Sequence, residues 1–123
     1  MEENADLICV VDDDASVRIA LGRMIRSFGF DVQLFASGRD CLDGPFIDRA
    51  SCLIVDVMMP DMDGYELHAL LKASGRDIPT VFMSGQYDQK TFDRAQSIGG
   101  VAILNKPCDA DLLHDAIVKA IAM

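Results

Sequence analysis

Five short apolar runs alternate along the chain with five stretches of helical period. The runs lie near residues 7–11, 31–35, 51–56, 79–83 and 100–104. Several are apolar almost throughout, as expected of strands covered on both faces. Between them, Val17, Leu21, Met24, Ile25 and Phe28 recur at helical spacing, and Leu67, Leu70 and Leu71 do so more weakly. Leu112, Leu113, Ala116, Ile117, Ala120 and Ile121 make a clean stripe near the end. The stretch 88–97 carries only Phe92, Ala95 and Ile98 on its apolar side, and 37–44 is crowded by Gly38, Gly44 and Pro45. Ser37 and Asp109 are expected helix N-caps. Gly29 is expected to end the first helix, and Gly75 with Pro79 brackets the loop into the fourth strand.

A fivefold β-α alternation predicts an α/β fold: a parallel five-stranded sheet with right-handed crossovers and helices on both faces. The expected strand order is 2-1-3-4-5. Ligands then bind at the carboxyl ends of the strands, near the switch point between strands 1 and 3. Polar residues collect at those ends. The first run leads into Asp12-Asp13-Asp14, the third closes on Asp56, and the fifth passes through Asn105 into Lys106-Pro107. An unpaired buried charge is costly, so such groups are paired, metal-bound or displayed at a rim.

Carboxylates about 4 Å apart repel by roughly 4 kcal/mol at an effective dielectric near 20. A hard cation removes that conflict, and magnesium suits a shallow site because it keeps several waters. Manganese is an expected substitute. Asp13 and Asp56 are assigned as direct ligands, Asp12 as a ligand through water, and the backbone carbonyl of Met58 as a further donor. Such a cation would let Asp56 act as a nucleophile toward phosphorus. Lys106 would bind one phosphoryl oxygen and the Ser84 hydroxyl another, with Gly85 leaving room for the approach.

Length and charge narrow the class. At 123 residues, half of them hydrophobic, the chain reads as a single domain. A net charge of −9 with no basic stripe disfavours nucleic-acid binding by this chain. No run of 18 apolar residues predicts a membrane span, and no charged leader with an apolar core reads as a secretory signal. Cys9, Cys41, Cys52 and Cys108 form no C-x-x-C pair, so reduced structural thiols and a cytoplasmic location are expected.

Asp12-Asp13, the stretch from Leu53 through Asp56 to Gly64, Ser84-Gly85 and Lys106-Pro107 together resemble the motif set of two-component response-regulator receiver domains. The likeness covers nearly the whole chain. It implies a flavodoxin-like (CheY-like) three-layer sandwich and a receiver domain over 1–123 with no output domain in this chain. It also implies phosphotransfer from a sensor histidine kinase, or from a phosphotransfer protein, onto Asp56. Magnesium dependence, slow self-dephosphorylation and no other enzyme activity follow from the same likeness. The signal is then read on the face of helix 4, strand 5 and helix 5, through which a homodimer is expected. Val10 to Asp14, Ser16-Val17-Arg18 and Met83-Ser84-Gly85 resemble receivers of nitrogen-fixation-type regulators, which carry a LuxR-type output domain and regulate transcription.

The family usually has Tyr or Phe three residues before the lysine, and its usual route couples a hydroxyl shift to rotation of that ring. Here the position is Ile103, which has no ring. Cys108 stands where Phe often follows Lys-Pro. Two other readings compete: a degenerate receiver acting only as an interaction module, and a small aspartate-nucleophile phosphatase using Asp12-x-Asp14. The second leaves the Asp56 loop unexplained. A flavodoxin-like cofactor binder lacks its phosphate loop after strand 1. Asp14, Asp61 and Asp63 read as solvated loop charges with a turn role near Gly64. His68 and His114 read as surface residues. Met58, Met59 and Met62 read as loop packing, and Gln86 is expected to flank the pocket with Met58.

Overall fold

The computed structural model describes residues 5–85 and 89–122. Five strands, β1 (Leu7–Val11), β2 (Asp31–Phe35), β3 (Ala50–Asp56), β4 (Thr80–Ser84) and β5 (Ala102–Asn105), pair in parallel in the order β2-β1-β3-β4-β5. The helices are α1 (Ala15–Ser27), α2 (Gly38–Asp43), α3 (Gly64–Ala73), α4 (Gln89–Ser97) and α5 (Ala110–Ile121), with one 3-10 turn at Ile47–Arg49. This is the topology expected from the alternation of periods.

Each strand divides its side chains between two layers, because successive residues point to opposite faces. Cys9, Val11, Leu53 and Val55 pack with Cys41 of α2, Leu67 and Leu71 of α3 and Ala95 of α4. Ile8, Val10, Cys52 and Ile54 pack with Leu21 and Ile25 of α1 and with Leu113, Ala116, Ile117 and Ala120 of α5. Each fully buried Leu or Ile contributes about 1.5–3 kcal/mol, so these two layers fix the sheet. Burial lifts the thiol pKa of Cys9 to about 11 and of Cys41 and Cys52 to about 12, so they stay protonated and act as small hydrophobes.

Helix ends follow local chemistry. Ser37 and Asp109 cap α2 and α5 as expected, accepting from Asp40 N and from Asp111 N and Leu112 N. Gly29 (φ 97°) and Gly75 (φ 87°) take the left-handed conformation after α1 and α3. Asp14 and Asp63 are more than loop charges. Asp14 accepts from Ser16 N and Val17 N at the start of α1. Asp63 accepts from Glu66 N while Glu66 accepts from Asp63 N, a reciprocal capping box on α3.

Other positions differ from expectation. β5 begins at Ala102 because the chain turns out of α4 through Gly99 (φ 89°) and Gly100. A Cβ on Gly100 would lie 2.7 Å from the Phe82 ring, so no larger residue fits there. Leu112 and Leu70 point to solvent, leaving Leu113, Ala116, Ile117 and Ala120 as the buried stripe of α5.

His68 is not the surface residue expected, and His114 is only partly exposed. His68 is buried, with Nδ1 3.0 Å from Thr80 Oγ1 and Nε2 3.1 Å from the Ile98 carbonyl. His114 is half-buried against Phe28, with ring centroids 4.8 Å apart, and lies beside Phe30. Both sit where a helix crosses a polar or aromatic group from distant sequence, which periodicity does not register.

Candidate functional site

Register brings the acidic residues together. Val11 is paired with Val55, so the residues that follow, Asp12 and Asp56, emerge side by side at the carboxyl end of the sheet. Asp56 pairs with Met83 on the other side, and Ser84 pairs with Asn105. Backbone bonds from Asp12 N to Phe35 O (3.1 Å), Val57 N to Met83 O (2.9 Å) and Lys106 N to Ser84 O (3.0 Å) carry the ladder past the strand tips. The rim is thus a continuation of the sheet and shares its rigidity.

One carboxylate oxygen from each of Asp12, Asp13 and Asp56 falls within 4.8 Å of the others. Asp12 and Asp56 are buried and Asp13 is exposed, so the cluster opens to solvent on one side. Asp12 Oδ1 accepts from Asp14 N (2.9 Å), and Asp56 Oδ1 accepts from Met58 N (3.1 Å). Lys106 Nζ lies 2.8 Å from Oδ2 of both Asp12 and Asp56. Oδ2 of Asp12 is fully buried, and no donor among the described residues approaches it along a hydrogen-bond direction. An all-oxygen set with one under-satisfied oxygen matches a hard divalent cation, so Asp12, Asp13 and Asp56 fit magnesium.

The charges on the rim are coupled. Burial pushes the Asp56 carboxyl above its usual range, as does nearby Asp12, while the Lys106 and Met58 bonds oppose the rise. Burial disfavours the Lys106 ammonium, but pairing with Asp12 and Asp56 outweighs it and holds the lysine above its ordinary value. Asp56 is therefore a carboxyl in a site that disfavours its charge, with Lys106 and the Met58 N–H opposing that effect.

Ser84 is buried and lines a cleft of ≈ 200 Å³ with Val57, Met58, Tyr65, Thr91 and Arg94. Met58 is 64% exposed, so its side chain lies free of the core, while Met59 and Met62 pack against it. A Cβ on Gly85 would meet nothing within 4 Å of protein, so the protein's own packing does not require glycine there. Gln86 lies outside the described residues.

Two residues of the quoted motifs take supporting roles that the sequence does not reveal. Arg18 Nη1 donates to the Asp12 carbonyl (2.8 Å), tying α1 to the acidic tip of β1. Its signal is only a position one helical turn beyond the Asp14 cap. Gly64 opens α3 so close to β3 that a Cβ would fall 2.5 Å from the Asp56 carbonyl oxygen. Its signal is the capping pattern Asp63-x-x-Glu66 around it.

Residues 8–118 match the family model described as the response regulator receiver domain. The chain is 35% identical over 123 residues to the response regulator protein TodT of Pseudomonas putida, covering all of this chain and 54% of that protein. It is 37% identical over 114 residues to the transcriptional regulatory protein FixJ of Bradyrhizobium diazoefficiens, covering 93% of this chain and 56% of that one. The chain thus spans about half the length of these relatives. The solved structure of the response regulator StyR superposes with a TM-score of 0.87 at 36% identity, covering 96% of this chain and 60% of that chain. No helix among the described residues is long and apolar enough to cross a membrane. The chain belongs to the response-regulator receiver domains of two-component systems.

Proposed function

We propose that this chain is a phosphorylatable switch in which Asp56 accepts a phosphoryl group from a sensor histidine kinase or a phosphotransfer protein. The meeting of Asp12, Asp13, Asp56 and Lys106 at one rim carries this reading. In the transfer, a carboxylate oxygen of Asp56 forms the new bond to phosphorus. The P–N bond to the donor imidazole breaks, and the imidazole leaves with the electron pair and takes up a proton. Asp12, Asp13, Asp56 and the Met58 carbonyl would hold magnesium, with manganese as a substitute. The bound ion supplies charge neutralisation between the incoming phosphoryl oxygens and the acidic cluster.

Lys106 already faces Asp56 and would carry its ammonium to a phosphoryl oxygen. Ser84, one residue beyond the partner of Asp56, would offer its hydroxyl to another. The product is a mixed anhydride that this domain hydrolyses slowly without further enzyme activity. The domain acts in the cytoplasm and does not itself bind nucleic acid. Its phosphorylated face, formed by α4, β5 and α5, pairs with a second copy. Relatives about twice as long carry regulatory names, which supports transcriptional output through a further domain.

The test is intact-mass measurement after incubation with a small phosphodonor, with and without magnesium. One phosphoryl group should add in magnesium, none in chelator and none to Asp56→Asn. Equal labelling of Asp56→Asn would remove Asp56 as the acceptor.

A further inference from the structure

The position three residues before Lys106 is Ile103, which offers no ring to report the state of the rim. A ring does stand between the rim and α4, on the other side of Ser84. Tyr65 is the second residue of α3, directly after Gly64, whose backbone abuts the Asp56 carbonyl. It is 8% exposed, and its ring lies 5.1 Å from that of Phe82, two residues before Ser84 on β4. Its hydroxyl donates to the Thr91 carbonyl in the first turn of α4 (3.3 Å). The Arg94 guanidinium, one turn further along α4, sits over the ring face at 4.3 Å. Tyr65 and Ser84 line the same cleft.

Among its described residues α4 buries only Ala95. A helix with so small an apolar contact belongs to the least stable part of a fold, where a single tie shifts its position or its opening. Tyr65 therefore joins a rigid point, the start of α3 against Asp56, to a loosely seated helix.

We infer that Tyr65 carries the state of the Asp56 rim to α4, through its hydroxyl on Thr91 and its ring under Arg94, in place of the absent ring at Ile103. This rests on the reading of Asp56 as the phosphoryl acceptor. A change in the β3–α3 loop or at Ser84 alters the walls of the shared cleft, and the Tyr65 ring must adjust. Its two ties to α4 move with it.

The experiment is amide hydrogen exchange of residues 89–97 in magnesium, with and without beryllofluoride as an acyl-phosphate mimic. It uses the chain as it stands, Tyr65→Phe and Arg94→Gln, with beryllofluoride uptake read separately by native mass. Loss of one ordinary hydrogen bond shifts an opening equilibrium roughly two- to tenfold, so Tyr65→Phe should raise unliganded exchange in α4 by about that factor. Both variants should take up beryllofluoride as the parent does, yet their response in α4 should fall to less than half.

A merely structural tie would raise the baseline and leave the ratio with and without beryllofluoride unchanged, and that result overturns the inference. Uptake by the parent chain with no change in α4 also overturns it. Failure of the parent to take up the mimic at all removes the acceptor reading beneath it. Tyr65→Phe keeps the ring packed on Phe82, so the test does not hinge on a variant that fails to fold.

Discussion

Gly64 and Asp56 are in backbone contact: a side chain on the glycine would place its Cβ 2.5 Å from the Asp56 carbonyl oxygen and 3.1 Å from the Val57 Cα. Both neighbours are backbone, which cannot turn away as a flexible side chain can. Gly64→Ala must push α3 off the tip of β3. Overpacking of this kind costs about 1–3 kcal/mol. Chemical denaturation should report that loss, and magnesium affinity should weaken with it because Asp56 is displaced.

Lys106 sits between two buried carboxylates that have no other cation among the described residues. Lys106→Met leaves Asp12 and Asp56 facing each other, with an expected loss of roughly 2 kcal/mol at pH 7. Without the lysine, Asp56 loses a partner that opposes its upward shift, so its folded-state pKa rises further above its unfolded value. Such groups give stability that is present at low pH and lost as pH rises through the folded pKa. The deficit should therefore shrink as pH falls from 7 toward 5, as measured by urea midpoints. Millimolar magnesium should recover part of it at pH 7.

Arg18 acts on the rim from a distance, holding the Asp12 carbonyl from α1. Arg18→Met keeps the apolar stem and removes the donor. Magnesium affinity should fall several-fold, read by calorimetric titration, because Asp12 and Asp13 lose the support that aims them. An ion present at ten times its Kd stabilises the fold by about 1.4 kcal/mol. Chelation should therefore lower the parent's stability by that order, and the variant's by less at the same ion concentration.

His68 predicts a separate pH effect. Burial lowers its pKa below 6.5, the Ile98 carbonyl opposes the shift, Lys72 adds to it and Asp77 counters it. In the neutral ring, Nε2–H donates to Ile98, so Nδ1 accepts from the Thr80 hydroxyl, whose single hydrogen otherwise serves the Ile78 carbonyl. The unfolded chain binds the proton more readily than the folded one, so this contribution is intact above pH 6.5 and is lost as pH falls toward the folded value. His68→Gln should flatten the stability profile in that window, whatever its effect at pH 8.

The rim was legible in the sequence because it needs only two facts. Apolar runs end in Asp12, Asp56 and Lys106, and parallel strands point the same way. The register Val11 to Val55 then brings the carboxylates level. The supporting residues carry no such signal. Whether Tyr65 or His68 is buried depends on how α3 lies against β4 and α4, and hydrophobic period says nothing of a hydroxyl reaching Thr91 or an imidazole reaching Ile98. Asp14 was hidden for a different reason. In a run of three aspartates, only the dihedral angles after β1 decide which one caps α1.

The central claim is chemical and local to one side chain. Phosphorylation in magnesium followed by borohydride reduction converts an aspartyl phosphate to homoserine, which peptide mass spectrometry locates by residue. Homoserine at position 56, absent without magnesium, is the expected result. Homoserine at another aspartate, or reduction products that form equally in chelator, would contradict the account.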